Sequence, residues 1–289
     1  MVYPFEAVSL TTPAHSIAGA PIDVNTSACT GLPGALHYNF GMTDGPVAAD
    51  TDPRWPKVLS LTAHELRSPL SVVAGYIRMV LGDRRNPPSD VHRRLLEPAA
   101  ESCGRLSALL NELSELSQLE SGTAPYNRSN LVLKTVLAEA VAALPDLTDR
   151  SLAIEVSIKD SVRVHGDAVR LRSAFVSLLQ AIRREIVLSD RLLVRVEKAP
   201  TYDHFIRITL AEPSRIDEIA RLDPGALVTF DEWRGGNGLA LPNARRIIEA
   251  HGGRVLSPAE VEDTPAEAEH APPKAAKASA VIFLPAFRA

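Results

Sequence analysis

From Leu59 to Val80 the apolar residues Leu59, Ala63, Leu66, Leu70, Val73, Ile77 and Val80 recur at alternating intervals of four and three. That is the a/d seam of a coiled coil or helical bundle. It commits the stretch to one helix, over about residues 56–82, whose apolar stripe must lie against another helix. Asn86-Pro87-Pro88-Ser89 interrupts the seam, and Ser89 is suited to cap a second helix. A second seam runs through Leu96, Ala99, Cys103, Leu106, Leu110 and Leu113, shifts register to Leu116, and stops at Gly122, a residue type that accepts the left-handed turn beyond a helix. Helices of roughly 27 and 32 residues reach about 40–48 Å. So long a hairpin has no core of its own, and pairing with a second copy in a four-helix bundle is the simplest way to cover both stripes.

The flanks have other patterns. Residues 1–54 have neither helical nor alternating period and are rich in Thr, Ala, Gly and Pro, which predicts a disordered acidic arm. Downstream, 131–144 has helical spacing and Leu152–Ile158 alternates as a strand. Asp167 is placed to cap a helix with the stripe Leu171, Ala174, Phe175, Leu178 and Ile182. Leu192–Val196 and Phe205–Leu210 alternate again, Leu239–Ala250 is helical, and Arg254–Leu256 and Ala280–Leu284 are strand-like. Residues 258–278, rich in Pro, Ala and Glu, predict a mobile insertion. The expected class is α+β, a long helical hairpin followed by a mixed sheet with helices on one face.

Composition narrows the partners. The net charge is −4, from 31 basic and 35 acidic residues. Five of the acids, and no Lys or Arg, fall in residues 1–53, so residues 54–289 sum to +1. This gives no basic excess for nucleic acid or an anionic membrane. Cys29 and Cys103 form neither a zinc spacing nor a disulfide framework, which fits a reducing cytoplasm. No basic residue precedes Arg54, as a secretory leader would require, and the longest uncharged stretch, 24–43, is broken by Asn25, Pro33, His37 and Asn39. A soluble, cytoplasmic chain without membrane insertion is expected.

The run Leu61-Thr-Ala-His-Glu-Leu-Arg-Ser-Pro-Leu70 carries chemistry. Ala63 and Leu66 belong to the seam, so His64 and Glu65 fall on its flank, with Ser68 one turn further on the same face. A neutral imidazole is a good nucleophile toward a phosphoryl group, and a neighbouring carboxylate can take its other ring N–H, fixing the tautomer. Pro69 offers no N–H to the Glu65 carbonyl, so the helix is expected to loosen just past the histidine.

This run resembles the phosphoacceptor box of two-component histidine kinases, and Arg105-Leu-Ser-Ala-Leu-Leu-Asn-Glu-Leu-Ser-Glu-Leu-Ser-Gln-Leu-Glu-Ser-Gly122 resembles the end of the same family's hairpin. The resemblance implies that residues 55–123 form the dimerisation and phosphoacceptor domain. His64 would carry the phosphoryl group, Glu65 would act as its base, and Ser68 would stand where the family dephosphorylates its partner. It also implies a homodimer through residues 55–122 and a response-regulator receiver domain as phosphoryl acceptor.

Residues 131–289 resemble the family's ATP-binding domain less evenly. His165-Gly-Asp-Ala-Val-Arg-Leu171 matches the lead-in to the nucleotide helix, but the two asparagines that serve Mg²⁺ and phosphate in the family are replaced by Ser177 and Ala181. Ser177 is left as the metal ligand, and Arg183 or Arg184 as the phosphate-reaching cation. At the adenine box Glu212 stands for an Asp, or Ala211 does if the register shifts by one, and Ser214 and Ile216 replace glycines. Gly236-Asn237-Gly238-Leu239 resembles the glycine loop that turns backbone N–H groups to phosphates at a helix start, and Ala244–Gly253 matches its continuation. His251 there is expected to pack or cap. The implied function is a histidine protein kinase using ATP and Mg²⁺. The alternative is a phosphotransfer protein or pseudokinase of the same architecture with a weak or dead ATP site.

Overall fold

The computed structural model describes residues 54–147, 150–159, 161–199, 202, 204–236, 238–260 and 274–287. The acidic arm before Arg54 and most of the Pro/Ala/Glu-rich insertion lie outside the described residues.

The first seam forms helix α1, Trp55–Gly82, and the second forms α2, Asp90–Glu120. Ser89 caps α2 by accepting the His92 N–H at 3.4 Å, and Gly122 takes a left-handed φ of +65° just past its end. Ala63, Cys103 and Leu110 are buried between the helices. Arg67 of α1 donates to Asn111 Oδ1 (3.1 Å) and Ser114 Oγ (3.0 Å) of α2, and Ser117 Oγ donates to the Pro56 carbonyl at 2.6 Å. Leu66, Val73 and Val80 of the seam remain about half exposed in the single chain.

Beyond the hairpin, β1 (Arg128–Val132) is followed by α3 (Leu133–Ala142), β2 (Ala153–Ser157) and β3 (Arg163–Asp167). β1 and β3 form an antiparallel two-stranded ribbon in which Leu131 faces Val164 and Val132 faces Arg163. The helix expected over 131–144 is therefore shorter, because ladder pairing with a strand some thirty residues away outweighs local helical spacing at Leu131 and Val132.

The chain continues with α4 (Ala168–Glu185), β4 (Arg191–Lys198), β5 (Phe205–Ala211), α5 (Ile216–Arg221), β6 (Leu227–Thr229), α6 (Ala240–Ala250), β7 (Arg254–Pro258) and β8 (Ala280–Pro285). The main sheet has the order β2-β4-β5-β8-β7-β6, with β2 and β4 parallel and the other pairs antiparallel. One core joins Phe175, Leu178 and Ile182 of α4 and Ile247 and Ile248 of α6 to the alternate β5 residues Ile206, Ile208 and Leu210. Helices α3, α4 and α6 thus share one face, as expected.

The opposite face is not bare. Arg207, 1% exposed, donates to the carbonyls of Ile219 (2.6 Å) and Leu222 (2.7 Å) at the end of α5. Burial drives its pKa down, while Glu197 and Asp223 oppose the shift. A six-residue helix is too short to show a 3.6-residue period, so the sequence pattern gives no sign of α5. The ends of the expected insertion are also tied into the fold: Pro258 closes β7, Ala259 bridges to Ala275, and the Ala278 N–H donates to Glu185 Oε2 at 2.7 Å. Among the described residues no helix is long and apolar enough to cross a membrane.

Candidate functional site

Ala63 is fully enclosed against α2, which turns the next two residues outward. The His64 and Glu65 side chains are 78% and 72% exposed, with Nδ1 and Oε1 3.5 Å apart. That is an ion-pair separation, a little beyond hydrogen-bond length. Ser68, one turn on, is also exposed, and α1 runs through Pro69 without interruption. The loosening expected there does not break the helix, because Arg67 on one side and the seam on the other hold it to α2. His64, Glu65 and Ser68 therefore share one accessible stretch of a rigid element.

The glycine loop lies far along the chain but meets the same hairpin. Gly238 has φ +59°, and a methyl group there would stand 3.1 Å from Leu109 Cδ2 and 3.4 Å from Glu112 Oε2, both on α2. Leu239, expected to offer its N–H to a phosphate, donates it to Glu112 Oε2 at 3.2 Å, and Asn243 Nδ2 donates to the Glu112 carbonyl at 2.9 Å. Arg170 and Arg246 extend the contact, pairing with Glu115 at 2.9 Å and Glu120 at 2.6 Å. Burial pushes the Glu112 carboxyl pKa up; the Leu239 N–H opposes this and Glu115 adds to it. Gly236 ends a short turn from Arg234, and Asn237 lies outside the described residues. Sequence reasoning missed Glu112. The available signal was the acidic stripe Glu112, Glu115 and Glu120, which looks like an ordinary solvated helix face.

On α4 the substituted metal positions do not make a magnesium site. Ser177 Oγ donates back to the Ser173 carbonyl at 3.2 Å, and Ala181, 1% exposed, has no ligand atom. Among the described residues no group of three or more His, Cys, Asp or Glu is arranged to hold a metal ion. Arg183 does not reach phosphate as expected: it is buried and donates to the Pro145 carbonyl at 2.5 Å, so it ties a loop to the end of α4 instead of reaching outward. Arg184 is exposed. Glu212 comes directly after β5, half-buried, and its carbonyl accepts the Arg215 and Ile216 N–H groups at 3.1 Å. Ile216 opens α5 and is 2% exposed, and Ala211 is enclosed. Where the resemblance implies a glycine-lined floor, this chain starts a helix.

His251 behaves as expected. Its Nε2 accepts the Asp167 N–H at 3.0 Å while Nδ1 faces the Ile247 carbonyl at 2.7 Å, so the ring is neutral with its proton on Nδ1. Burial lowers its pKa. Asp167 caps α4 through the Val169 and Arg170 N–H groups, both 3.1 Å, and accepts the Asn127 N–H at 2.8 Å. Burial works to raise the Asp167 pKa, but these donors hold it below the usual carboxylate range.

Residues 57–122 match the family model of the His Kinase A (phospho-acceptor) domain. The chain is 29% identical over 203 residues to the signal transduction histidine-protein kinase BaeS of Escherichia coli, covering 68% of this chain and 42% of that protein. It is 31% identical over 118 residues to the phosphate regulon sensor protein PhoR of Pseudomonas aeruginosa, covering 40% of this chain and 26% of that one. The fold is similar to that of full-length ShkA, solved in complex with AMPPNP: the TM-score is 0.56 at 17% identity, over 81% of this chain and 46% of that one. The chain thus spans less than half the length of these relatives. Hairpin, family match and relatives agree: residues 57–122 form a phospho-acceptor domain of the His Kinase A family, and the chain is similar to histidine kinases of two-component signalling.

Proposed function

We propose that the chain is a histidine protein kinase of a phosphorelay, which phosphorylates itself on His64 from ATP and passes the phosphoryl group to an Asp of a response-regulator receiver domain. The observation that carries this reading is the exposed His64–Glu65 pair on a hairpin that matches the phosphoacceptor family. With Nδ1 facing Glu65, Nε2 is the attacking nitrogen. It forms the N–P bond as the bond from the γ-phosphorus to the bridging oxygen breaks, and Glu65 balances the charge that develops on the ring. Ser68 is positioned to orient water or the phosphoryl group when a receiver is dephosphorylated. The half-exposed seam of Leu66, Val73 and Val80 supports a homodimer through residues 55–122.

ATP fits the domain in part. The Gly238–Leu239 backbone at the start of α6 suits phosphate, Arg184 is an exposed cation, and Glu212 is the acceptor available to an adenine amino group. The residues at Ser177 and Ala181 do not fit a protein-held Mg²⁺. This misfit, with Ile216 built into α5, favours a second reading in which His64 exchanges phosphoryl groups with receiver domains and ATP is not the source.

Incubation of the purified chain with γ-labelled ATP and Mg²⁺ separates the two. The first reading expects acid-labile label that is lost completely in His64→Ala. No label from ATP, but label gained on His64 from a phosphorylated receiver, establishes the second. Label from neither donor overturns both.

A further inference from the structure

The start of α6 is already engaged in this structure, and by an anionic oxygen acceptor, as a phosphate oxygen would be. Three observations meet there. The Glu112 carboxylate accepts the Leu239 N–H at 3.2 Å, at the point where the α6 backbone has its unpaired donors. The α2 surface presses on the loop closely enough that a methyl group on Gly238 would contact both Leu109 and Glu112. The approach is also fixed on either side: Asn243 holds the Glu112 carbonyl, Arg170 holds Glu115 and Arg246 holds Glu120. Of the remaining first-turn positions of α6, Pro242 has no N–H to offer. Leu239 therefore supplies one of few amides at this end.

The geometry points to Glu112 as an intramolecular stand-in for phosphate, a latch that docks α2 on the glycine loop and excludes nucleotide until the hairpin lets go. This rests on the reading of the loop as a nucleotide site. A triphosphate brought up to Leu239 would compete with Glu112 for the same N–H and would meet the Glu112 charge at close range, so the two anions disfavour each other there. Nucleotide and docked hairpin then compete: docking lowers the affinity for nucleotide by the same factor by which nucleotide lowers docking. The ion pairs of Glu115 and Glu120 hold the domain on α2 without touching the loop, which confines the competition to Glu112.

The test uses the full chain, as wild type, Glu112→Ala and Glu112→Gln, with two readouts. Deuterium uptake by residues 238–241 without nucleotide is expected to rise about tenfold in rate in Glu112→Ala, since a protecting acceptor is removed. The dissociation constant for ATP, by calorimetry, is expected to fall about tenfold in Glu112→Ala. In Glu112→Gln, which keeps a neutral acceptor, it should fall about threefold. Unchanged uptake overturns the latch. So does faster uptake with the same ATP affinity in all three chains, an outcome that leaves the nucleotide reading standing. If no chain binds ATP at millimolar concentration while uptake still responds to Glu112→Ala, the nucleotide reading itself has failed and the competition falls with it.

Discussion

The phosphoacceptor hairpin and the α/β domain that follows it solve different structural problems. His64, Glu65 and Ser68 lie within five residues on one exposed helix face, and their support is a seam that any long amphipathic hairpin provides. The proposed nucleotide site would draw on α4, the end of β5 and the start of α6, segments separated by dozens of residues and joined through the core. A site written in one helical turn keeps its geometry while the rest of the molecule changes. A site built from three distant segments shifts whenever one of them does, and here Ala181, Ile216 and Arg183 are all given over to the packed interior.

The independence of the two regions is tested most severely by unfolding the α/β domain. Gly253→Ala places a methyl group against the Phe283 carbonyl oxygen, in a corner also closed by Leu284 and Ile248. The loss expected is about 3 kcal/mol of the α/β domain's unfolding free energy, read by urea denaturation. Phosphoryl exchange between His64 and a phosphorylated receiver should survive. If both fail together, the two regions are not independent.

From the hairpin side, Glu65→Gln removes the charge beside Nδ1 without altering the shape of an exposed residue. Phosphorylation of His64 should slow by about tenfold or more while stability changes by less than about 0.5 kcal/mol, measured by initial rates and thermal melts. A rate equal to wild type would remove Glu65 from the mechanism.

The smallest effect belongs to His251. Its pKa is lowered by burial in the folded domain, so below an ordinary histidine value near 6.5 the unfolded chain takes up a proton that the native one refuses. Stability present at neutral pH should therefore fall as the pH drops through 6.5 toward the lowered folded value. The carboxylate of Asp167 offsets part of the loss, whereas Arg128 and Arg170 add to it. Chemical denaturation at stepped pH should show this slope in wild type and not in His251→Gln.

How much could be read in advance divides along the same line. The hairpin, its Ser89 cap, its Gly122 stop and the His64 face all arise from spacing within single helices. The strands β4, β5, β7 and β8 and the helices α4 and α6 were legible from their periods. The features that escaped depend on contacts across the chain. β1 exists because β3 pairs with it, α5 is visible through the carbonyls it gives to Arg207, and Glu112 has a role only because α6 comes to rest on α2. Arg183 shows the same limit from the opposite direction, since its neighbour Arg184 is exposed and only the folded core decides which of the two turns inward.

The seven residues from Ser121 to Asn127 that join α2 to β1 carry a further consequence. At full extension they reach about 24 Å. A released domain therefore stays tethered within a small volume of the hairpin it left, at an effective concentration on the order of millimolar. Dilution of the protein cannot separate the two. Any ligand that parts them works against a rival whose concentration is set by the linker, so the threshold at which it succeeds is a property of the chain itself.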